Sequence, residues 1–305
     1  MSAEKIIPKK ILNNLIERYL KGEPLYKLAK EANMSGYCLK RKFKKLNIPI
    51  RNLFRVSMNE DYFENIDTPE KAYFLGLLYA DGYYDGKAIA ISLQEKDKEI
   101  LEKFKKAINH NGNLQFIKKK NENNQNSFRL TICNKKPKED LIQKGIIRHK
   151  TYNTLIPNFI KEELYSHFIR GFFDGDGCIS KGKCYSLSFV SQKKFLEHIG
   201  NKFIIHCNLI NRLYFTKRKK DKDDGVFNLV FNSNIQSLTI LNFLYKNSNN
   251  LFLTRKYEKY KLLISEIENK NYSCSGFKNR KEEYMKLLKE AKNIVNEIEN
   301  ESKKD

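Results

Sequence analysis

Apolar residues recur at helical spacing over residues 11–20, 24–32 and 37–46, thin out, and then enter two passes of one repeated pattern. The first of these helices is stopped at Gly22, the second is opened by Glu23-Pro24, and Met34-Ser35-Gly36 makes a tight turn before the third. Residues 51–67, entered through Ile48-Pro49-Ile50-Arg51, read as a linker. The first pass opens at Thr68-Pro69-Glu70, an N-cap with proline at the first helical position and an acid in the first turn. Its helix runs to Asp81-Gly82. Strand-like alternation follows at 88–93, a helix at 101–108, strands at 114–117 and 128–132 around the polar stretch 118–127, and a closing helix at 140–145. The second pass repeats this order with a helix ending at Gly177, alternation at 184–190, a helix at 194–204, strands at 213–216 and 227–231 around the charged turn 217–225, and a helix at 237–245.

Such an internal repeat predicts an α+β fold of two pseudo-symmetric αββαββα halves, 68–160 and 161–265, packed as a pseudo-dimer. A small all-α module (1–50) precedes them. From 275 onward the chain is Lys/Glu-rich and helical in pattern, so 266–305 is expected to be a peripheral helical tail.

The two helices that open the halves carry the strongest signal. Phe74-Leu-Gly-Leu-Leu-Tyr-Ala-Asp-Gly82 and Ile169-Arg-Gly-Phe-Phe-Asp-Gly-Asp-Gly177 lie 95 residues apart. Each places small residues at i and i+4, Gly76/Ala80 and Gly171/Gly175, which share one helix face. A buried helix explains the apolar run, and a C-cap explains the final glycine. Neither explains the helix-interior Gly76 and Gly171, each costing about 1 kcal/mol against Ala. Two faces stripped to Gly and Ala can bring two backbones together, which would set Asp81 beside Asp176. Paired carboxylates hold a divalent metal, with the helix-end carbonyls of Ala80 and Gly175 as further ligands, and this points to phosphodiester hydrolysis.

Composition adds charge: 58 Lys and Arg against 36 Asp and Glu give a net +22. A polyanion partner with steep salt dependence is the direct implication, although a lysine-rich solvated surface has the same composition. The six cysteines form no C-x-x-C pair and the histidines no metal-ligand spacing, which argues against a zinc site. No apolar run reaches the roughly 20 residues of a membrane helix, and the N-terminus lacks a signal-peptide core. An intracellular, DNA-associated protein is expected, cytoplasmic with an organellar location left open.

At Gly76, Ala80, Asp81 and Gly82, and again at Gly171, Asp174, Asp176 and Gly177, the chain resembles the LAGLIDADG homing endonucleases that carry both motifs on one chain. Gly175 stands where that family usually has Ala, and Tyr79 departs from the acid often found two residues before the terminal Asp. The resemblance implies a monomeric, site-specific endonuclease that cuts double-stranded DNA with Mg²⁺ or Mn²⁺, each carboxylate serving one strand. It further implies a polar residue after the second strand of each half, here Gln94 and Gln192, and a late lysine in each half, Lys150 and Lys256, with Arg148 and Arg255 as possible substitutes.

The same resemblance implies a β-saddle in the DNA major groove. Side chains alternate across a strand, and the base-reading candidates are Gln115, Lys118, Arg129 and Thr131 in the first half. In the second they are Ser186, Ser188, Arg212, Tyr214, Arg218, Asn228 and Asn232. In the N-terminal module, Ala29 and Asn33 sit where a helix-turn-helix has its small residue and its corner. The third helix adds Lys40, Arg41, Lys42, Lys44 and Lys45 as DNA contacts. The competing implications of the family are an RNA maturase binding intron RNA, or a non-cleaving regulator. An intein is disfavoured because the chain starts with Met and ends Ser-Lys-Lys-Asp.

Overall fold

The computed structural model describes residues 7–21, 23–50, 56–118, 125–148, 154–209, 213–217, 225–269 and 281–303. The chain divides into two units, 1–55 and 56–305. In the first, α1 (Lys9–Leu20), α2 (Leu25–Glu31) and α3 (Gly36–Lys45) close over Leu15, Tyr19, Leu28, Ala29, Leu39 and Phe43. Asn33 takes the left-handed backbone (φ 50°) between α2 and α3, and the Ser35 hydroxyl caps α3 by accepting the Cys38 N–H at 3.2 Å. Arg18 binds both Glu23 oxygens at 2.8 Å and Glu31 at 2.7 Å, tying α1 to α2.

The second unit contains the repeat. Its first half runs α4 (Pro69–Asp81), β1 (Gly82–Tyr84), β2 (Ile89–Gln94), α5 (Lys98–Ala107), β3 (Gln115–Ile117), β4 (Ser127–Ile132) and α6 (Lys135–Gln143). Its second runs α7 (Tyr165–Asp176), β5 (Gly177–Lys181), β6 (Tyr185–Gln192), α8 (Lys193–Cys207), β7 (Tyr214–Lys217), β8 (Val226–Phe231) and α9 (Asn234–Tyr245). Helices α10 (Thr254–Asn269) and α11 (Lys281–Glu301) follow. The four-stranded antiparallel sheets have matching orders, β1-β2-β4-β3 and β5-β6-β8-β7. Alternation sends Ile89, Ile91, Leu93, Leu130 and Ile132 inward in one sheet, and Leu187, Phe189, Leu229 and Phe231 in the other. Both sheets share one core with α4 and α7.

Three expectations are corrected. Residues 56–67 are not a linker: Tyr62, Phe63 and Ile66 are buried in the main core, because a Tyr-Phe pair beside Ile has too much apolar surface to leave in water. The Asp-Gly pairs do not end their helices in a left-handed cap. Gly82 (φ −72°, ψ 147°) and Gly177 (φ −96°, ψ 159°) are extended and begin β1 and β5, strands that had no sequence signal. Nor is the last helix only peripheral, since Tyr284, Leu288, Ala291, Ile294 and Ile298 form a buried stripe at helical spacing.

Candidate active site

Thr68 caps α4 by accepting the Lys71 N–H at 3.2 Å, Pro69 starts it, and it stays buried nearly all round from Ala72 to Tyr79. Such a helix must be covered on every side, and α7 covers one of them. The contact is backbone on backbone and reciprocal. A Cβ placed on Gly76 would overlap the Phe168 carbonyl oxygen and stand 2.9 Å from the Phe172 nitrogen. A Cβ on Gly171 would overlap the Tyr73 carbonyl oxygen and stand 2.8 Å from the Leu77 nitrogen. Glycine is required because a second main chain occupies the Cβ position, not because of any unusual φ. One turn further on, a Cβ on Gly175 would overlap that of Ala80 and lie 2.7 Å from Asp81 Oδ2. The four small residues read from the sequence are therefore the contact, and the Asp81 carboxylate lies against the residue preceding Asp176.

Both acids occupy the last position of their helices, half-buried, where the ends of two helix dipoles add negative potential. Among the described residues no group of three or more His, Cys, Asp or Glu is placed to hold a metal ion. The donor set is thus two carboxylates with neighbouring helix-end carbonyls, all oxygen. This fits a hard divalent cation that keeps water and takes phosphate oxygens as remaining ligands, and does not fit zinc.

Lys256 sits in the interior. It is 3% exposed, and its ammonium donates to the carbonyls of Phe173, Asp174 (2.8 Å) and Gly177 (2.7 Å), on both sides of Asp176. Burial pulls its pKa down to about 8, opposed by Asp174 and by Asp81. With its N–H groups turned to main-chain carbonyls, it offsets the negative end of α7 and fixes the turn that carries Asp176. Arg255 is committed elsewhere, its Nε 3.2 Å from both oxygens of the buried Asp97. Arg148 donates to the Asp85 carbonyl at 2.5 Å. Gln94 is exposed at the end of β2, and Gln192, at the matching end of β6, accepts the Thr154 N–H at 3.1 Å. Lys150, Arg212 and Arg218 lie outside the described residues.

A buried polar network next to Asp176 had no sequence signal beyond its residue types. Arg170, fully buried, donates to the carbonyls of Leu244 (2.7 Å), Leu251 (2.8 Å) and Ser248 (3.1 Å) and contacts His167 Nδ1 at 3.1 Å. Asp174 accepts the Tyr73 hydroxyl at 2.8 Å and the Leu253 N–H at 2.9 Å. Burial raises the Asp174 pKa against the pull of Lys256 and these hydrogen bonds, and burial lowers that of His167 to about 3.

On the sheet face away from the core, Gln115 pairs with Arg129 and Thr131 pairs with Ala90. Arg129 donates to the Ser92 hydroxyl at 3.0 Å and lies over the Tyr83 ring. In the second sheet Ser186, Ser188, Tyr214 and Asn228 share the corresponding face, joined there by Val190, Thr216 and Val230, which the sequence reading omitted. Lys118 and Asn232 are exposed just beyond β3 and β8. In the first unit α3 buries Leu39 and Phe43, while Lys40, Arg41, Lys44 and Lys45 are exposed and Lys42 half-buried.

Residues 68–144 match the family model of the LAGLIDADG-like domain. An alignment 203 residues long, covering 62% of this chain, is 24% identical to a probable translation initiation factor IF-2 of Methanocaldococcus jannaschii; the chain spans only 16% of that protein. Among solved structures, the meganuclease I-SmaMI bound to uncleavable DNA is 14% identical over 72% of this chain and 97% of its own, with a TM-score of 0.45. The homing endonuclease I-WcaI bound to its DNA recognition sequence gives 14%, 71%, 96% and 0.45. A variant of I-DmoI with its target DNA in the presence of Mn gives 17%, 63%, 99% and 0.39.

Proposed function

With residues 68–144 a LAGLIDADG-like domain and 165–245 repeating its order of elements, we propose that the chain is a site-specific DNA endonuclease that hydrolyses one phosphodiester on each strand of a duplex. The observation that carries this reading is the pair of acids at the ends of two helices in backbone contact. Asp81 and Asp176, with the carbonyls of Ala80 and Gly175, would hold Mg²⁺ or Mn²⁺, which when bound polarises the scissile phosphate and acidifies an attacking water. The protein contributes rigidity: a glycine-lined helix contact leaves the two carboxylates no freedom to separate. Lys256 holds the α7 terminus from below. The outward faces of the two sheets supply polar and aliphatic side chains suited to base edges and thymine methyls. The excess of basic residues supports a polyanionic partner, and the exposed cations of α3 support an added contact from the first unit.

Incubation with a random-site plasmid library and Mg²⁺ or Mn²⁺, followed by sequencing of the cut ends, tests this directly. Wild type should cut at a defined sequence, and Asp81→Asn or Asp176→Asn should bind that sequence without double-strand cleavage. Full cleavage by the double variant overturns the assignment. Binding without any cleavage by wild type would instead favour a maturase or regulator.

A further inference from the structure

The residue two positions before the terminal acid differs in kind between the halves, Tyr79 in one and Asp174 in the other, yet both are buried and both grip main chain. The Tyr79 hydroxyl donates to the Lys144 carbonyl at 2.5 Å, at the residue that caps α6. Asp174 accepts the Leu253 N–H at 2.9 Å, just before α10 begins at Thr254. In each half the partner is thus the chain that has left the last helix of that half and leads to its late basic residues. Lys144 precedes Arg148 and Lys150, and Leu253 precedes Lys256.

Packing alone does not account for these residue types. A phenylalanine would keep the Tyr79 ring contacts with Phe168 and Phe195 and a leucine would fill the place of Asp174, whereas an enclosed carboxylate costs several kcal/mol unless its hydrogen bonds compensate. Among the described residues the second oxygen of Asp174 is buried with no hydrogen-bond partner, so the position carries polar strain that an apolar side chain would avoid. Arg170 reinforces the same hold on 244–251, and its counterpart 95 residues earlier is Leu75. The second motif helix therefore grips its loop through Arg170 as well as Asp174, whereas the first motif helix reaches its own through the Tyr79 hydroxyl. Lys256, at the end of the gripped segment, donates to carbonyls flanking Asp176, which links this grip to the placement of an acid.

We propose that Tyr79 and Asp174 are positioning residues, each setting the late segment of its own half against its own motif helix and thereby serving cleavage of one DNA strand. This rests on the endonuclease reading. The test is Tyr79→Phe, which deletes one hydroxyl and keeps the ring, and Asp174→Leu, which removes the acceptor for the Leu253 N–H and keeps the position filled, each assayed on duplex labelled separately on the two strands. Each variant should slow one strand at least about 10-fold, the loss of a buried hydrogen bond, and the two variants should slow opposite strands. Nicked duplex should accumulate while the dissociation constant for uncut DNA stays unchanged. A merely structural role would slow both strands together. Amide hydrogen exchange supplies a readout that does not need cleavage: protection should fall at 144–148 in Tyr79→Phe and at 251–256 in Asp174→Leu. Equal slowing of both strands, or no slowing, overturns the proposal while leaving the endonuclease reading intact. Absence of cleavage by wild type overturns that reading instead, and unchanged exchange then overturns the proposal as well.

Discussion

Replacing Gly171 by alanine adds one methyl group at the tightest point of the structure. The built Cβ overlaps the Tyr73 carbonyl oxygen and stands 2.8 Å from the Leu77 nitrogen, where ordinary contact begins near 3.4 Å. Both obstacles are backbone atoms inside α4, so neither can rotate away, and α4 and α7 must separate. Overpacking of this kind costs about 1–3 kcal/mol. A gap of 0.5–1 Å along the rest of the interface forfeits a quarter to a half of each van der Waals contact there. Alanine returns about 1 kcal/mol of helix propensity. The balance is a destabilisation of about 2 kcal/mol, measured as a lowered urea midpoint with an unchanged slope. Cleavage should fall further than stability, because misplacing a catalytic group by about 1 Å can reduce rates on the order of 100-fold. Gly182→Ala is the control, since its nearest obstacle is the Cys184 carbonyl at 4.0 Å. A Gly171→Ala protein with the wild-type midpoint and full activity would show that the two helices do not meet at this face.

Three further outcomes are expected. Deleting residues 1–50 should leave specific cleavage detectable at low salt and shorten the footprint on one side. It should also flatten the salt dependence of binding by about 0.9 in log K against log salt per lost phosphate contact, and equal footprints and slopes would mean the module does not touch DNA. His167, held to a pKa of about 3 by burial and by Arg170, is neutral in the folded protein and titrates near 6.5 once unfolded. Its contribution is therefore complete above pH 6.5 and lost as pH falls from there toward 3, on the order of 1.4 kcal/mol per pH unit; His167→Gln should flatten that acid limb in urea titrations, and superimposable limbs would contradict the burial. Lys256→Met should remove the contacts to the Asp174 and Gly177 carbonyls, lower activity more than DNA affinity, and raise exchange of the amides at 176–178.

The motif helices and their contact were legible in the chain because the information is local and repeated. A small residue at i and i+4 defines a helix face whatever surrounds it, and two copies 95 residues apart define a pair. The sheet faces were legible for the same reason, since alternation alone puts Arg129, Ser188 and Asn228 outward. What the chain could not specify is which polar side chain meets which main-chain atom across the fold. Tyr79 read as a departure from a motif until Lys144, 65 residues away, came within 2.5 Å of its hydroxyl. Asp174 read as a match to the motif and Arg170 had no reading of its own, and only the chain at 244–253 folding over them makes them a buried grip. Lys256 matched a position expected near the scissile phosphates, yet it lies inside, because carbonyls at the end of α7 need a cation that no local pattern supplies. Periodicity reports how a segment divides water from core. Partners of buried polar groups are fixed only when distant segments converge, and the candidate site depends on both.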